Sequence, residues 1–199
     1  KPTTQKIRII GKSQQLLRVD YESKEHIHKN IELSIINFLE RTVKEVDVIV
    51  ISDYAKGVIT PKLCNEIIKI SNNYDKKIIV DPKPKHLDFY PNVTLITPNN
   101  TEASEMANIE DGDEAISEIG SKLLKYLNAN VLITRGDKGM SLFEKNGKIT
   151  HIPAKAKEVY SIIGAGDTVV ATVALALASG ADFVEAATLA NIAAGIKVG

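Results

Sequence analysis

The chain has 199 residues, 44% hydrophobic and 25% charged, enough for one substantial core, and its 25 basic and 25 acidic residues cancel. Without a basic excess, nucleic acid and an anionic membrane drop out as partners and a small molecule takes their place. Cys64 is the only cysteine, which excludes an internal disulfide and fits a reducing, cytoplasmic setting, and the longest apolar run, residues 169–178, is too short to span a bilayer.

Lys1-Pro2-Thr3-Thr4 does not read as a natural start and Gly199 falls on an unfinished apolar helix, so the chain reads as truncated at both ends. Residues 6–10 and 14–20 read as two short strands around Gly11-Lys12-Ser13. Residues 1–22 are therefore assigned to a small β-hairpin and 23–199 to an incomplete α/β core. Ile31, Ile35, Leu39 and Val43, with Ile36 and Phe38 beside them, mark an amphipathic helix over 31–43. His26 and His28 precede it without a cysteine or further histidine to complete a metal site, and read as solvated surface.

Residues 46–51 are a nearly continuous β-branched run, the pattern of a strand covered on both faces of a parallel sheet. Thr60 then caps a helix with Pro61 in its first turn and Leu63, Ile67, Ile68 and Ile70 facing inward. Further strands are predicted over 77–80, 93–97 and 130–134, and a second amphipathic helix over 114–127. Met140 to Phe143 and Lys148 to Ile152 form a hairpin across Asn146-Gly147, a strong turn signal. Such alternation predicts a mostly parallel central sheet with helices on both faces.

Charged and polar residues follow the predicted strands at their carboxyl ends, where open α/β sheets bind ligands. Asp53 and Lys56 follow the first, Asp81-Pro82-Lys83 the second and Pro98-Asn99-Asn100-Thr101-Glu102 the third. Asn99 and Glu102 are spaced as a helix capping box, and equally as groups that order water around a magnesium ion on nucleotide phosphates.

Gly164-Ala165-Gly166-Asp167-Thr168 stands directly before an Ala-rich apolar run with no breaker until Gly180. Glycines at a helix start let the backbone approach a ligand, and the first free N–H groups form an anion site. Asp167 beside a bound phosphoryl group can take the proton of an attacking hydroxyl; a tight turn with an acidic N-cap uses the same residues. A dinucleotide fingerprint is excluded by Val169 and a P-loop by Lys6, which stands at the position of its first glycine.

Four stretches, Ser52-Asp53-Tyr54-Ala55-Lys56-Gly57, Asp81-Pro82-Lys83, the Asn-x-x-Glu of Asn99 to Glu102, and Gly164-Ala165-Gly166-Asp167-Thr168, together resemble the ribokinase-like (PfkB) carbohydrate kinases. The resemblance runs over nearly the whole chain. Gln14-Gln15-Leu16-Leu17-Arg18-Val19-Asp20 and Gly139-Met140-Ser141-Leu142 are most similar to the heptose 7-phosphate kinases of that family.

The resemblance implies a ribokinase-like α/β fold with a small β-lid, and ATP and Mg²⁺ as cofactors. It implies Asp167 as catalytic base, with the amides of Gly164, Ala165 and Gly166 as the anion hole. Asn99 and Glu102 would hold Mg²⁺ through water, and Asn100, Thr101, Thr134, Gly136 and Asn191 would lie along the nucleotide. Asp53, Lys56, Lys83 and Arg18 would meet the sugar phosphate, and the lid leaves room for a homodimer. The expected reaction is ATP-dependent phosphorylation at O1 of D-glycero-β-D-manno-heptose 7-phosphate, which belongs to the formation of ADP-heptose. The alternatives are a family kinase for another sugar or a nucleoside, and a non-catalytic nucleotide-binding domain. Where the family reads Asp-x-Thr, this chain has Ser161-Ile162-Ile163, which leaves monovalent-cation activation open. The family's N-terminal strand and glycine-rich sugar loop would precede Lys1.

Overall fold

Apolar strands alternating with amphipathic helices leave each strand two faces to cover, and the structure, a computed structural model describing residues 3–11, 14–154 and 164–198, covers them with two helical layers. Among the described residues the strands form two sheets. Strands β1 (Gln5–Gly11) and β2 (Gln14–Tyr21) make an antiparallel ribbon. The main sheet comprises β3 (Val48–Ser52), β4 (Lys77–Asp81), β5 (Leu95–Ile96), β6 (Asn130–Thr134), β7 (Met140–Phe143) and β8 (Ile149–Ile152), neighbours in chain order. Its first three pairings are parallel and its last two antiparallel.

Helices α1 (Lys29–Thr42), α2 (Pro61–Asn73), α3 (Asn100–Ala107) and α4 (Ile116–Leu127) contribute to one core, α5 (Ala165–Ala178) and α6 (Phe183–Val198) to the other. Strand alternation divides the sheet between them. Ile78, Val80, Val131 and Ile133 join the first core, while Ile79 and Leu132 join the second. The Thr60 hydroxyl accepts a hydrogen bond from Leu63 N at 3.1 Å, with Pro61 opening α2, as its sequence requires.

Three elements differ from expectation. Strand β3 is an edge of the six-stranded sheet, so Val50 is 42% exposed instead of covered. Strand β5 is shorter than the predicted 93–97, and beside it the Thr94 hydroxyl accepts the Ile78 N–H at 2.9 Å. Helix α1 is rotated relative to its apolar pattern: Ile31 and Phe38 are exposed, while Glu32 is buried. The Glu32 carboxylate accepts from the Thr60 hydroxyl, with Lys62 3.4 Å away, and these α2 partners make its burial affordable.

Candidate active site

Backbone pairing brings the loops after the parallel strands to one end of the sheet. Ser52 pairs with Asp81, and Asp53 N donates to Asp81 O at 3.0 Å. Thr97 N donates to Val80 O at 2.9 Å, Thr134 N to Pro98 O at 3.0 Å, and Asn99 bridges Thr134 in parallel. Asp53, Lys83, Asn99 and Thr134 therefore share that end. Helix α5 packs on β3 and β4, and its Asp167 acts electrostatically on Asp81, so the helix start faces the same region.

Gly164 is the N-cap of α5 at φ +80°, a left-handed conformation that glycine adopts without a steric penalty. Asp167 sits three residues into the helix and makes no side-chain capping bond, so it is not the acidic N-cap that the sequence also allowed. It is exposed, as is Gly166, where an added Cβ would meet nothing within 4 Å. Thr168 N returns to Gly164 O at 3.0 Å, whereas the preceding first-turn amides have no helical carbonyl to bond. The result, among the described residues, is a helix N-terminus with no side-chain cap beside an exposed carboxylate.

Facing it are Asp81, Lys83 and Glu102. Lys83 Nζ pairs with Glu102 Oε1, and Glu102 Oε2 accepts from Asn99 N at 3.1 Å, while Asn99 Oδ1 accepts from Glu102 N at 2.9 Å. The capping box is thus real, and Glu102 spans box and lysine at once. Burial acts to lower the Lys83 ammonium, but the Glu102 carboxylate, helped by Asp81 and Asp53, outweighs it and raises the group. Burial pushes the Asp81 carboxyl up to about 6; Lys83 opposes this, and the negative charges of Glu102 and Asp167 add to it. Asp81 was legible only as part of the Asp-Pro-Lys stretch, without a role.

Three carboxylates around one lysine form a donor set suited to a hard cation that keeps its water and binds through phosphate oxygens. Among the described residues no group of three His, Cys, Asp or Glu side chains is arranged to hold a metal directly. The residues fit Mg²⁺ only in this water- and phosphate-mediated form.

Asp53 is different from the residue expected at an open sugar site. It is 1% exposed, and its carboxylate is occupied: Oδ1 accepts Ala55 N at 2.7 Å, and Oδ2 accepts the Tyr90 hydroxyl and lies 2.6 Å from His86 Nδ1. His86 and Tyr90 follow the Asp-Pro-Lys turn at positions where no local pattern marked them. Burial, reinforced by Asp53, raises the Tyr90 phenol, and burial likewise pushes the neighbouring Cys64 thiol up to about 12.

Lys56 lies on the same loop and pairs with Glu22, which directly follows β2. Lys6 of β1 stands over the Tyr54 ring, 5.2 Å from its centroid. These contacts join the ribbon to the core around a cavity of about 420 Å³ lined by Lys6, Glu22, Asp53, Tyr54, Lys56 and Ile59, among others. Among the described residues, buried Glu22 Oε2 has no hydrogen-bond partner there. Arg18 is exposed on β2 and bonds Asp20 at 2.8 Å; it does not line that cavity.

On the β6 side, Thr134 is half-buried and Gly136 is exposed at φ +59° in the turn before β7. Thr101 is exposed in the first turn of α3, whereas Asn100 donates to Asp111. Asn191 is buried in α6 and donates to Pro153 O at 2.7 Å, so its amide is committed to the chain after β8. Ser161-Ile162-Ile163 lies outside the described residues.

The sequence matches the pfkB family of carbohydrate kinases over residues 1–199. The chain belongs to this family. The pfkB family is one of carbohydrate kinases, phosphotransferases that use ATP. It is 43% identical over 199 residues to the bifunctional protein HldE of Geobacter metallireducens, covering 99% of this chain and 41% of that protein. It is 40% identical to the HldE of Wolinella succinogenes, covering 100% of this chain and 42% of that one. The chain thus spans about two fifths of the length of the curated relatives it matches. Among solved structures it is similar to ribokinase from Thermotoga maritima, with a TM-score of 0.76 and 21% identity over 99% of this chain and 63% of that one. Escherichia coli phosphofructokinase-2 in complex with fructose-6-phosphate gives a TM-score of 0.73 at 16% identity, over 98% of this chain and 64% of that one. These likenesses establish the pfkB kinase's ribokinase-like α/β fold, with a mostly parallel six-stranded sheet and a separate two-stranded one. Among the described residues no helix is long and apolar enough to cross a membrane.

Proposed function

We propose that this chain is the kinase part of a protein that transfers the γ-phosphoryl group of ATP to O1 of D-glycero-β-D-manno-heptose 7-phosphate, giving the 1,7-bisphosphate. The observation that carries the reading is the exposed Asp167 in the first turn of α5, acting electrostatically on Asp81 beside Lys83 and Glu102. Identity of about 40% to HldE proteins across the whole chain, together with the heptose-kinase wording of the sequence, supports this sugar within the family.

The reaction is an in-line displacement. Asp167 accepts the O1 proton as the O1–P bond forms, while the bond from phosphorus to the bridging oxygen breaks and its electron pair leaves with ADP. The first-turn amides of α5, from Gly164 to Gly166, stabilise charge on the transferring group without reorganising. Bound Mg²⁺ supplies neutralisation of the phosphate oxygens. Glu102 and Asn99, joined in the capping box, would hold it through water, and Lys83, paired with Glu102 here, would supply positive charge to the phosphate oxygens. Thr134 and Gly136, with Asn100 and Thr101 at the start of α3, border the nucleotide. Lys56 and Lys6 offer positive charge to the substrate's own phosphate at the cavity beneath the ribbon, which acts as its lid, and Arg18 meets the sugar phosphate only if that lid closes. The exposed Ile7, Ile9 and Leu17 of the ribbon support a homodimer across this lid.

The test is specificity. The full-length protein with ATP and Mg²⁺ is assayed against heptose 7-phosphate, other sugar phosphates, free sugars and nucleosides. The reading predicts that heptose 7-phosphate has the highest kcat/KM; a preference for another acceptor removes the heptose assignment, and nucleotide binding without transfer to any acceptor removes the kinase mechanism from this protein.

A further inference from the structure

The loop of residues 53–57 carries Tyr54 and Lys56 into the cavity, yet its own backbone is awkward. Ala55 adopts φ +51°, a left-handed conformation that a residue with a Cβ takes only when its surroundings impose it. Asp53 imposes it from within, because Oδ1 accepts the Ala55 N–H at 2.7 Å. At the far end Gly57, at φ +86°, lies so close to the preceding segment that an added Cβ would stand 2.0 Å from Glu25 O, and Gly57 O accepts Ile27 N at 2.9 Å.

What holds Asp53 itself is a pair of side chains from outside the loop. His86 Nδ1 and the Tyr90 hydroxyl converge on Oδ2; His86 is 4% exposed, Tyr90 is wholly buried, and His86 stacks on Phe89 with centroids 4.4 Å apart. Both come from the segment after β4 that also carries Lys83. We infer that His86 and Tyr90 are positioning residues: through Asp53 they lock the 53–57 loop in its left-handed turn, and so set Lys56 and Tyr54 in the acceptor cavity. The part concerning the acceptor rests on the proposed sugar-phosphate reading, whereas the lock itself does not.

The arrangement has a direction. Oδ1 is reserved for the loop and Oδ2 for the two outside donors, so losing either outside donor frees the carboxylate to rotate and releases Ala55. A misplacement of about 1 Å in a positioning group is worth on the order of a hundredfold in catalysis, so a loosened loop is felt at the acceptor. On the nucleotide side, α3 and the β6 turn take no part in these bonds, and Lys83, whose backbone bonds the Tyr90 phenol, links the two.

The experiment uses full-length protein with Tyr90→Phe, which removes one hydroxyl, His86→Phe, which keeps the stacking and removes the donor, and His86→Asn, whose amide can replace Nδ1. Hydrogen exchange over residues 53–57 reads the lock without turnover. Tyr90→Phe and His86→Phe are expected to exchange faster there, with β6 still protected, and His86→Asn to recover most of the protection. In kinetics with the best acceptor of the wild-type enzyme, the first two variants raise the acceptor KM by roughly ten- to a hundredfold and the KM for ATP by far less. Unchanged exchange over 53–57, an equal loss of protection across the whole sheet, or an equal rise in both KM values would overturn the inference. If the wild-type protein phosphorylates no sugar, the proposed function fails and exchange alone decides the lock.

Discussion

Two aspartates end up near the same edge of the sheet and have opposite lives. Asp53 is buried, accepts three hydrogen bonds and holds a strained loop. Asp167 is exposed on the first turn of α5, makes no capping bond and looks onto Asp81 and its charged neighbours. Residue type is shared by both, and so is the end of the sheet they lie near. What separates the two carboxylates is the number of donors already bound to each.

That comparison can be broken most forcefully at Asp167. Asp167→Asn in the full-length protein is expected to lower turnover by ~10²–10⁴, because the amide cannot accept the hydroxyl proton. Its folding stability should fall by less than about 1 kcal/mol, the range for a charge in a helix's first turn. Steady-state kinetics beside urea unfolding measure both; near wild-type turnover would make Asp167 as structural as Asp53.

Asp53→Ala should give the reverse pattern in stability. Removing the acceptor strands the Tyr90 hydroxyl, His86 and the Ala55 amide inside the protein, a loss of about 3–5 kcal/mol by analogy with broken buried ion pairs. Urea unfolding of this variant should show a midpoint far below that of Asp167→Asn.

Glu102→Gln sharpens the picture at the third carboxylate. Glutamine preserves the capping box, so unfolding should hardly change. The magnesium requirement should rise by about 10–100-fold, the size of an outer-shell ligand loss, as read by titrating activity with MgCl₂. An unchanged titration would leave Glu102 a capping residue with a lysine partner.

Asp81 gives the smallest effect and a signed one. In the unfolded chain its carboxyl titrates at the ordinary value of ~4, whereas in the fold burial pushes it up to about 6. Between those values the folded state holds the extra proton, so rising pH favours unfolding; the penalty is absent below about pH 4 and complete above about pH 6. Asp81→Asn removes it. With chelator present, the variant and wild type should melt alike near pH 4, and the variant should melt a few degrees higher, on the order of 1 kcal/mol, at pH 7.

Much of the fold was legible because its rules are local. Thr60 and Pro61 mark the start of α2 within one turn, and Asn146-Gly147 marks the hairpin between β7 and β8. The burial of Glu32 was hidden because its partners, Thr60 and Lys62, belong to another helix. The same distance effect governs the site. Glycines before an apolar helix announced the start of α5, but the donors that occupy the Asp53 carboxylate lie 33 and 37 residues downstream. Lys83 and Glu102 were each singled out, yet their pairing across 19 residues depends on β4 and β5 lying side by side, and so does the charge crowding that lifts Asp81.

The central claim is phosphoryl transfer to an anomeric hydroxyl with Asp167 as base, and ³¹P NMR follows it directly. Full-length protein with ATP, Mg²⁺ and heptose 7-phosphate should build a new anomeric phosphate resonance at the rate at which the ATP γ-resonance disappears, and Asp167→Asn should build none over the same interval. ATP resonances that shift on binding while no new phosphate appears, or an anomeric signal that grows equally fast in Asp167→Asn, would contradict the account.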